Sequence, residues 1–203
     1  MDKKTFVTKT GIAVFPHLRR PEVFDGKEIG YTIKLMLTPE ETEEMKQFLL
    51  DELEAVKNLP EFAGKKWSKP GLGMGEDKDG NIIFKFKKVA HFKSRTGTEV
   101  TTTLPIFDAS GKPLPKEVDP SGGSQVKVAY SVYPFYKTSA IHGLSLRLEA
   151  IQVIELKEYG KQDASGFGFG EEKGYVAPDN TGDVPFGVPE NDTDDNNGGD
   201  ADF

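Results

Sequence analysis

Ile29-Gly30-Tyr31-Thr32-Ile33-Lys34-Leu35-Met36-Leu37 runs without a spacer into Thr38-Pro39-Glu40-Glu41, and that junction decides the fold. The first nine residues are rich in β-branched, aromatic and aliphatic side chains, as a strand is. Thr38 has the chemistry of a helix N-cap, Pro39 suits the first helical position, and Glu41 completes a capping box with Thr38. Met45, Phe48, Leu49, Leu53 and Val56 follow at helical spacing until Pro60 stops the run. Acids gather in the first turn, where the helix dipole favours them. One helix is therefore spliced into a chain that reads as β on both sides.

Upstream, residues 5–18 are strand-like; downstream, strands are expected at 82–93, 98–108, 125–136 and 143–157. Turns separate them at Arg95-Thr96-Gly97, Ala109-Ser110-Gly111 and Pro120-Ser121-Gly122-Gly123. Residues 60–81 form a loop rich in Gly, Lys and Pro, closing on a hairpin turn at Asp77-Lys78-Asp79-Gly80-Asn81. Five or more strands with one inserted helix suit a small closed or partly open barrel. The expected fold is mainly β: an oligonucleotide-binding (OB) fold barrel with one inserted α-helix, a sandwich being the alternative.

At ~100–200 residues per domain, 203 residues fit one domain with an appendage. The division expected is 1–160 for the barrel domain and 161–203 for a flexible acidic tail. Glu190 to Asp200 contains no apolar side chain, so the tail should be disordered. It nevertheless ends on an aromatic, Phe203, which a solubilising tail has no need of; it reads as a docking element. The formal net charge of −7 divides unevenly: +2 over residues 1–160 and −9 over 161–203. Residues 40–61 carry −6, so the rest of the body is +8. A cationic body with an acidic tail suggests a nucleic-acid surface.

The chain has no cysteine, which removes disulfides, a thiol nucleophile and thiolate metal sites. Its three histidines (His17, His91, His142) are too far apart in sequence to suggest a metal cluster. The turn at 77–81 lacks the downstream acids of a calcium loop, and Gly71-Leu72-Gly73-Met74-Gly75 is not followed by a helix as a phosphate-binding loop would be. No nucleophile is placed beside a base. We therefore expect no metal, no cofactor and no enzymatic activity. No apolar run reaches signal-peptide or membrane length, so a soluble cytoplasmic protein without membrane contact is expected.

Residues 84–93 alternate: Phe84, Phe86, Ala90 and Phe92 read as core, and Lys85, Lys87, His91 and Lys93 as a cationic ladder on the other face. Exposed lysines on a strand also discourage edge pairing, so this strand alone does not decide. Three further segments add weight. Lys65-Lys66-Trp67-Ser68-Lys69 sets an aromatic among lysines, with few apolar neighbours in sequence. Residues 130–137 place Tyr133, Phe135 and Tyr136 beside Lys137; there Lys127, Ser131, Tyr133 and Phe135 share one face, while Val126, Val128, Tyr130 and Val132 read as core. Arg147 alternates with Leu144, Leu146 and Leu148, so it points outward. Cations that neutralise successive phosphates, together with rings that stack on unpaired bases, are what single-stranded nucleic acid requires; a duplex has its bases already stacked. The alternative is a non-enzymatic β-domain adaptor whose acidic tail is an interaction peptide.

Phe84-Lys85-Phe86-Lys87 leading to Phe92, Gly122 through Pro134, Leu144 through Leu156, Gly174-Tyr175-Val176-Ala177 and the acidic finish at Asp202-Phe203 together resemble the single-stranded DNA-binding proteins of T-odd, short-tailed lytic bacteriophages. The resemblance covers most of the body and the architecture of the tail. It implies an OB fold with an added helix, sequence-independent single-stranded DNA binding in phage DNA replication, recombination and repair, and a tendency to dimerise. It also implies an acidic tail that contacts the phage DNA polymerase and helicase–primase, here Asp192, Asp194, Asp195, Asp200, Asp202 and Phe203, in the cytoplasm of an infected host. After Pro134 the order is Phe-Tyr-Lys, so the stacking role falls to Phe135 or Tyr136 without a choice between them.

Overall fold

The computed structural model describes residues 4–158 and Gly174. In chain order the elements are β1 (Phe6–Val7), β2 (Gly11–Phe24), β3 (Lys27–Met36), α1 (Pro39–Lys57), a 3-10 turn (Pro60–Phe62), β4 (Met74–Glu76), β5 (Ile82–Lys88), β6 (His91–Lys93), β7 (Glu99–Thr101), β8 (Ile106–Phe107), β9 (Gln125–Thr138) and β10 (Ile141–Glu155). The expected tail apart from Gly174, including its six named acidic and aromatic residues, lies outside the described residues. No described helix is long and apolar enough to cross a membrane.

The long strands pair in a ring. β2 lies antiparallel to β3, β3 to β5, β10 to β9, and β9 back to β2, while β5 and β10 run parallel. Taken as five barrel strands in chain order, the sequence around the ring is first, second, third, fifth, fourth: the OB arrangement. Inward-facing Ile33, Leu35, Phe84, Phe86, Val126, Val128, Leu146 and Ile151 are almost completely buried, and apart from Phe84, which follows buried Ile83, they alternate with half-buried or exposed neighbours. Burial also pushes the Tyr130 phenol up to about 12, with the Glu52 carboxylate adding to the effect.

The junction at residue 38 folds as its chemistry dictates. The Thr38 side chain accepts from the Glu41 backbone nitrogen at 3.3 Å, and Glu41 reaches back to the Thr38 nitrogen at 3.3 Å. Met45, Leu49, Leu53 and Val56 are buried against the barrel, and Phe48 packs edge-on against Phe6 at 4.8 Å.

Three strand expectations need correction. The first strand region breaks after Val7 and restarts at Gly11, then runs past residue 18 to Phe24. Glu22, Val23 and Phe24 pair with Gly30, Glu28 and Lys27 at the start of β3, so the continuation extends as a hairpin arm. The region 82–93 is interrupted at Val89–Ala90. There β6 leaves the barrel and pairs with β7 in a separate two-stranded sheet, so Phe92, expected in the core, is 47% exposed. The region 98–108 likewise splits into β7 and β8. In the outward set on β9, Ser131 is buried, and its hydroxyl donates to Glu149 at 2.8 Å.

Segment 71–76 has a structural task. β5 and β10 pair directly only at Phe86–Leu146 and Lys87–Arg147, and the segment wedges into the gap where they diverge. Gly71 donates to the His142 carbonyl at 3.0 Å and accepts from Leu144 at 2.7 Å; Lys85 donates to the Gly73 carbonyl at 2.7 Å; β4 then pairs with β5. The approach demands glycine. Gly143 sits at φ +146°, and a Cβ there would stand 2.6 Å from the Gly71 nitrogen. A Cβ on Gly73 would meet Leu146 Cγ at 2.7 Å.

Candidate nucleic-acid interface

Register places the outward side chains of the barrel strands in two transverse rows. One row runs His17 (β2), Thr32 (β3), Lys87 (β5), Arg147 (β10) and Ser131 (β9), each beside its neighbour across the sheet. The second begins with Val14 and continues through Lys34 and Lys85. On the far side Ser145 faces Tyr133 across β10 and β9. Lys85, Lys87 and Arg147, which the sequence singles out, are thus brought together and are exposed. Lys34 joins them. Toward the ends of the first row, carboxylates occupy hydroxyls: Thr32 donates to Glu22 at 2.7 Å and Ser131 donates to Glu149.

Two aromatic rings of this face lie under cations. The Arg147 guanidinium stands 3.5 Å from the Tyr133 ring centroid, and Tyr133 is 49% exposed. The Lys34 ammonium is 5.3 Å from the ring of Phe15, which is 69% exposed. Phe15 was legible only as one more strand residue. Alternation would turn it inward, but its backbone has φ +46° at a register shift between Val14 and His17, and this bulge throws the ring outward. The available sequence signal was Pro16, since proline inside a strand marks a bulge or an edge. Lys34 carried a signal too, as the one basic residue in the 29–37 run.

The loop cluster occupies the tip of the β9–β10 hairpin. Trp67 does not stand alone among lysines, as its sequence neighbours suggest. It packs edge-on against Phe62 at 5.6 Å, Tyr136 at 5.4 Å and His142 at 5.4 Å. Tyr136 stacks on His142 at 5.2 Å, and its hydroxyl donates to the Lys66 carbonyl at 3.0 Å. These rings hold one another and the loop. Lys65 lies over Phe62 and Tyr136 at 4.7 and 4.9 Å, while Lys66, Lys69 and Lys137 are exposed around the cluster. Phe135, half-buried, follows Tyr133 along the same face of β9 opposite Gly143.

Three predicted residues stand apart from the rows. Lys127 is four residues from Ser131 on β9, about 13 Å along the strand, and sits opposite Gln152 near the 108–112 turn. His91 and Lys93 belong to the separate β6–β7 sheet, and His91 Nε2 lies 3.4 Å from the Glu28 carboxylate. The ladder expected along 85–93 is therefore two pairs of residues on two sheets. The turn at 77–81 spends its acid on itself: Asp77 accepts from the Asp79 and Asn81 nitrogens, and the Asn81 side-chain bond above all holds its carboxyl below the usual range.

Residues 32–156 match the family described as the single-stranded DNA-binding protein of bacteriophage T7. The chain is 29% identical over 202 residues to the single-stranded DNA-binding protein of Escherichia phage T7, covering 87% of each, and 27% identical over 183 residues to that of Enterobacteria phage T3, covering 78% of each. Among solved structures, the crystal structure of gp2.5, a single-stranded DNA-binding protein encoded by bacteriophage T7, superposes with a TM-score of 0.61 at 25% identity, over 87% of this chain and all of that one. The single-stranded DNA-binding protein of bacteriophage Enc34, in complex with single-stranded DNA, shares the fold with a TM-score of 0.57 at 15% identity, over 77% of this chain and 89% of the other.

Proposed function

This chain belongs to the family of bacteriophage T7 single-stranded DNA-binding proteins, and from that premise we propose that its transverse face holds single-stranded DNA without regard to sequence. The carrying observation is the convergence of Lys34, Lys85, Lys87 and Arg147 from three adjacent strands with Tyr133 exposed at their edge. Ammonium and guanidinium groups take phosphates and release counterions; the rings take bases by stacking, which every base offers. On this reading affinity follows backbone charge and unstacked bases. Lys65, Lys66, Lys69 and Lys137 extend the cationic surface around the hairpin tip, while Trp67 and Tyr136 position it.

The protein acts as a binder in phage DNA replication and recombination in the host cytoplasm, without chemistry of its own. Its acidic tail competes with DNA for the cationic face and recruits the phage DNA polymerase and helicase–primase, with Phe203 as the anchoring side chain. The test is fluorescence polarisation of labelled oligo-dT at two salt concentrations, with mixed-sequence single strands and duplex as competitors. Single strands of any sequence should compete equally and duplex poorly. Each phosphate contact removed, as in Lys87→Ala, should lower the salt slope by about 1. Salt-insensitive binding, or duplex competing as well as single strand, overturns the reading.

A further inference from the structure

Phe15 combines two costs that a fold avoids without cause. A large apolar ring stands 69% exposed, and its residue holds φ +46°, a region in which glycine is comfortable and a β-carbon is not. Such strain persists where a function maintains it. No feature of the barrel core needs the ring: Ala13 and Leu18, on either side of the bulge, fill the interior. The bulge lies instead at the β2 edge of the cationic face, with the Lys34 ammonium 5.3 Å from the ring centroid and Lys34 beside Lys85 in register.

Resting on the single-strand reading above, we propose that Phe15 is a second base-stacking platform, capped by Lys34 in the free protein. A base displaces the ammonium from the ring, and the freed ammonium meets an adjoining phosphate. Tyr133 under Arg147 is the corresponding platform at the opposite edge. From β2 across β3, β5 and β10 to β9 there are four inter-strand steps, about 19 Å of surface, with Lys34, Lys85, Lys87 and Arg147 between the two rings. DNA therefore crosses the barrel transverse to the strands, and the two rings hold different nucleotides of one strand.

Four full-length variants test this: Phe15→Leu keeps apolar bulk without a π-face, Phe15→Trp restores one, Phe15→Gly removes the ring and relieves the backbone, and Tyr133→Leu serves as the reference. Polarisation with labelled oligo-dT should show Phe15→Leu and Phe15→Gly binding roughly tenfold more weakly at unchanged salt slope, with Phe15→Trp near the parent. Phe15→Gly should melt no lower than the parent, so its loss of binding is no folding defect. In oligo-dT carrying a single abasic position, the penalty should vanish in Phe15→Leu at one nucleotide and in Tyr133→Leu at another. If Phe15→Leu binds like the parent while Tyr133→Leu weakens, the platform is overturned and single-strand binding stands. If the parent itself does not bind oligo-dT, both fall together.

Discussion

In the proposed interface, Arg147 would serve both demands of a single-strand binder with one side chain. Its guanidinium lies 3.5 Å from the Tyr133 centroid, within stacking distance, while register holds it beside Lys87. A guanidinium is planar and weakly hydrated, so it stacks on a ring and still presents donors to a phosphate; an ammonium is a hydrated point charge. Arg147→Lys should therefore keep the salt slope and lose affinity severalfold, in line with a contact of ~1 kcal/mol. Arg147→Ala should lose both affinity and about 1 from the slope. Polarisation titrations across salt separate the two; equal slopes for Lys and Ala would deny Arg147 its phosphate. This residue was legible in sequence because alternation with Leu144, Leu146 and Leu148 fixes its face. Phe15 was not, because alternation holds only while φ stays negative, and a bulge reverses the parity of the residues beyond it. Trp67 misled for another reason. Its partners Tyr136 and His142 are about seventy residues away, and local composition says nothing of them.

The helix and the long strands β3, β9 and β10 were legible from local chemistry, and the breaks that pairing imposes on the other strands were not. The helix was fixed by Thr38, Pro39, Glu41 and a stripe of apolar residues, all within one segment. The strand over 82–93 was not divisible by eye, since Ala90 keeps the alternation and only the departure of β6 to pair with β7 breaks it. Segment 71–76 is the instructive case: its glycines carry no local meaning and gain one only from β10. Gly143 accepts the Gly71 backbone against it, and that contact ties the Trp67 loop to the barrel. Gly143→Ala would push a methyl into backbone at both ends of the Gly71 residue, at a φ that alanine resists. Overpacking and left-handed strain together put the cost at about 2–5 kcal/mol. The loop should detach before the barrel melts. Trp67 emission should shift to the red and the loop amides should exchange faster, while β2–β3 protection persists. Unchanged Trp67 emission would mean that the aromatic cluster alone secures the loop.

Across the whole molecule, charge is arranged as well as totalled. The exposed surface of α1 carries Glu40, Glu43, Glu44, Asp51 and Glu54, and the transverse face of the barrel carries Lys34, Lys85, Lys87 and Arg147. A strand approaching the protein is repelled by one surface and drawn to the other, which orients it before contact. Residues 161–203 add −9 on the same chain. If this segment competes with DNA for the cationic face, as proposed, its tether sets an effective concentration of order mM. If its own dissociation constant is about a tenth of that concentration, masking costs DNA roughly tenfold in affinity. The competition has a signature that simple solubilisation lacks. DNA displacing the tail exchanges one anion for another and releases fewer counterions, so the intact protein should show the shallower salt slope. Removing residues 161–203, or changing Asp192, Asp194, Asp195, Asp200 and Asp202 to Asn in the full chain, should tighten oligo-dT binding most at low salt. The slope should steepen, and the curves should converge with the parent as salt rises. Affinity unchanged at every salt concentration, in both the truncated and the neutralised protein, would leave the tail no part in gating the face.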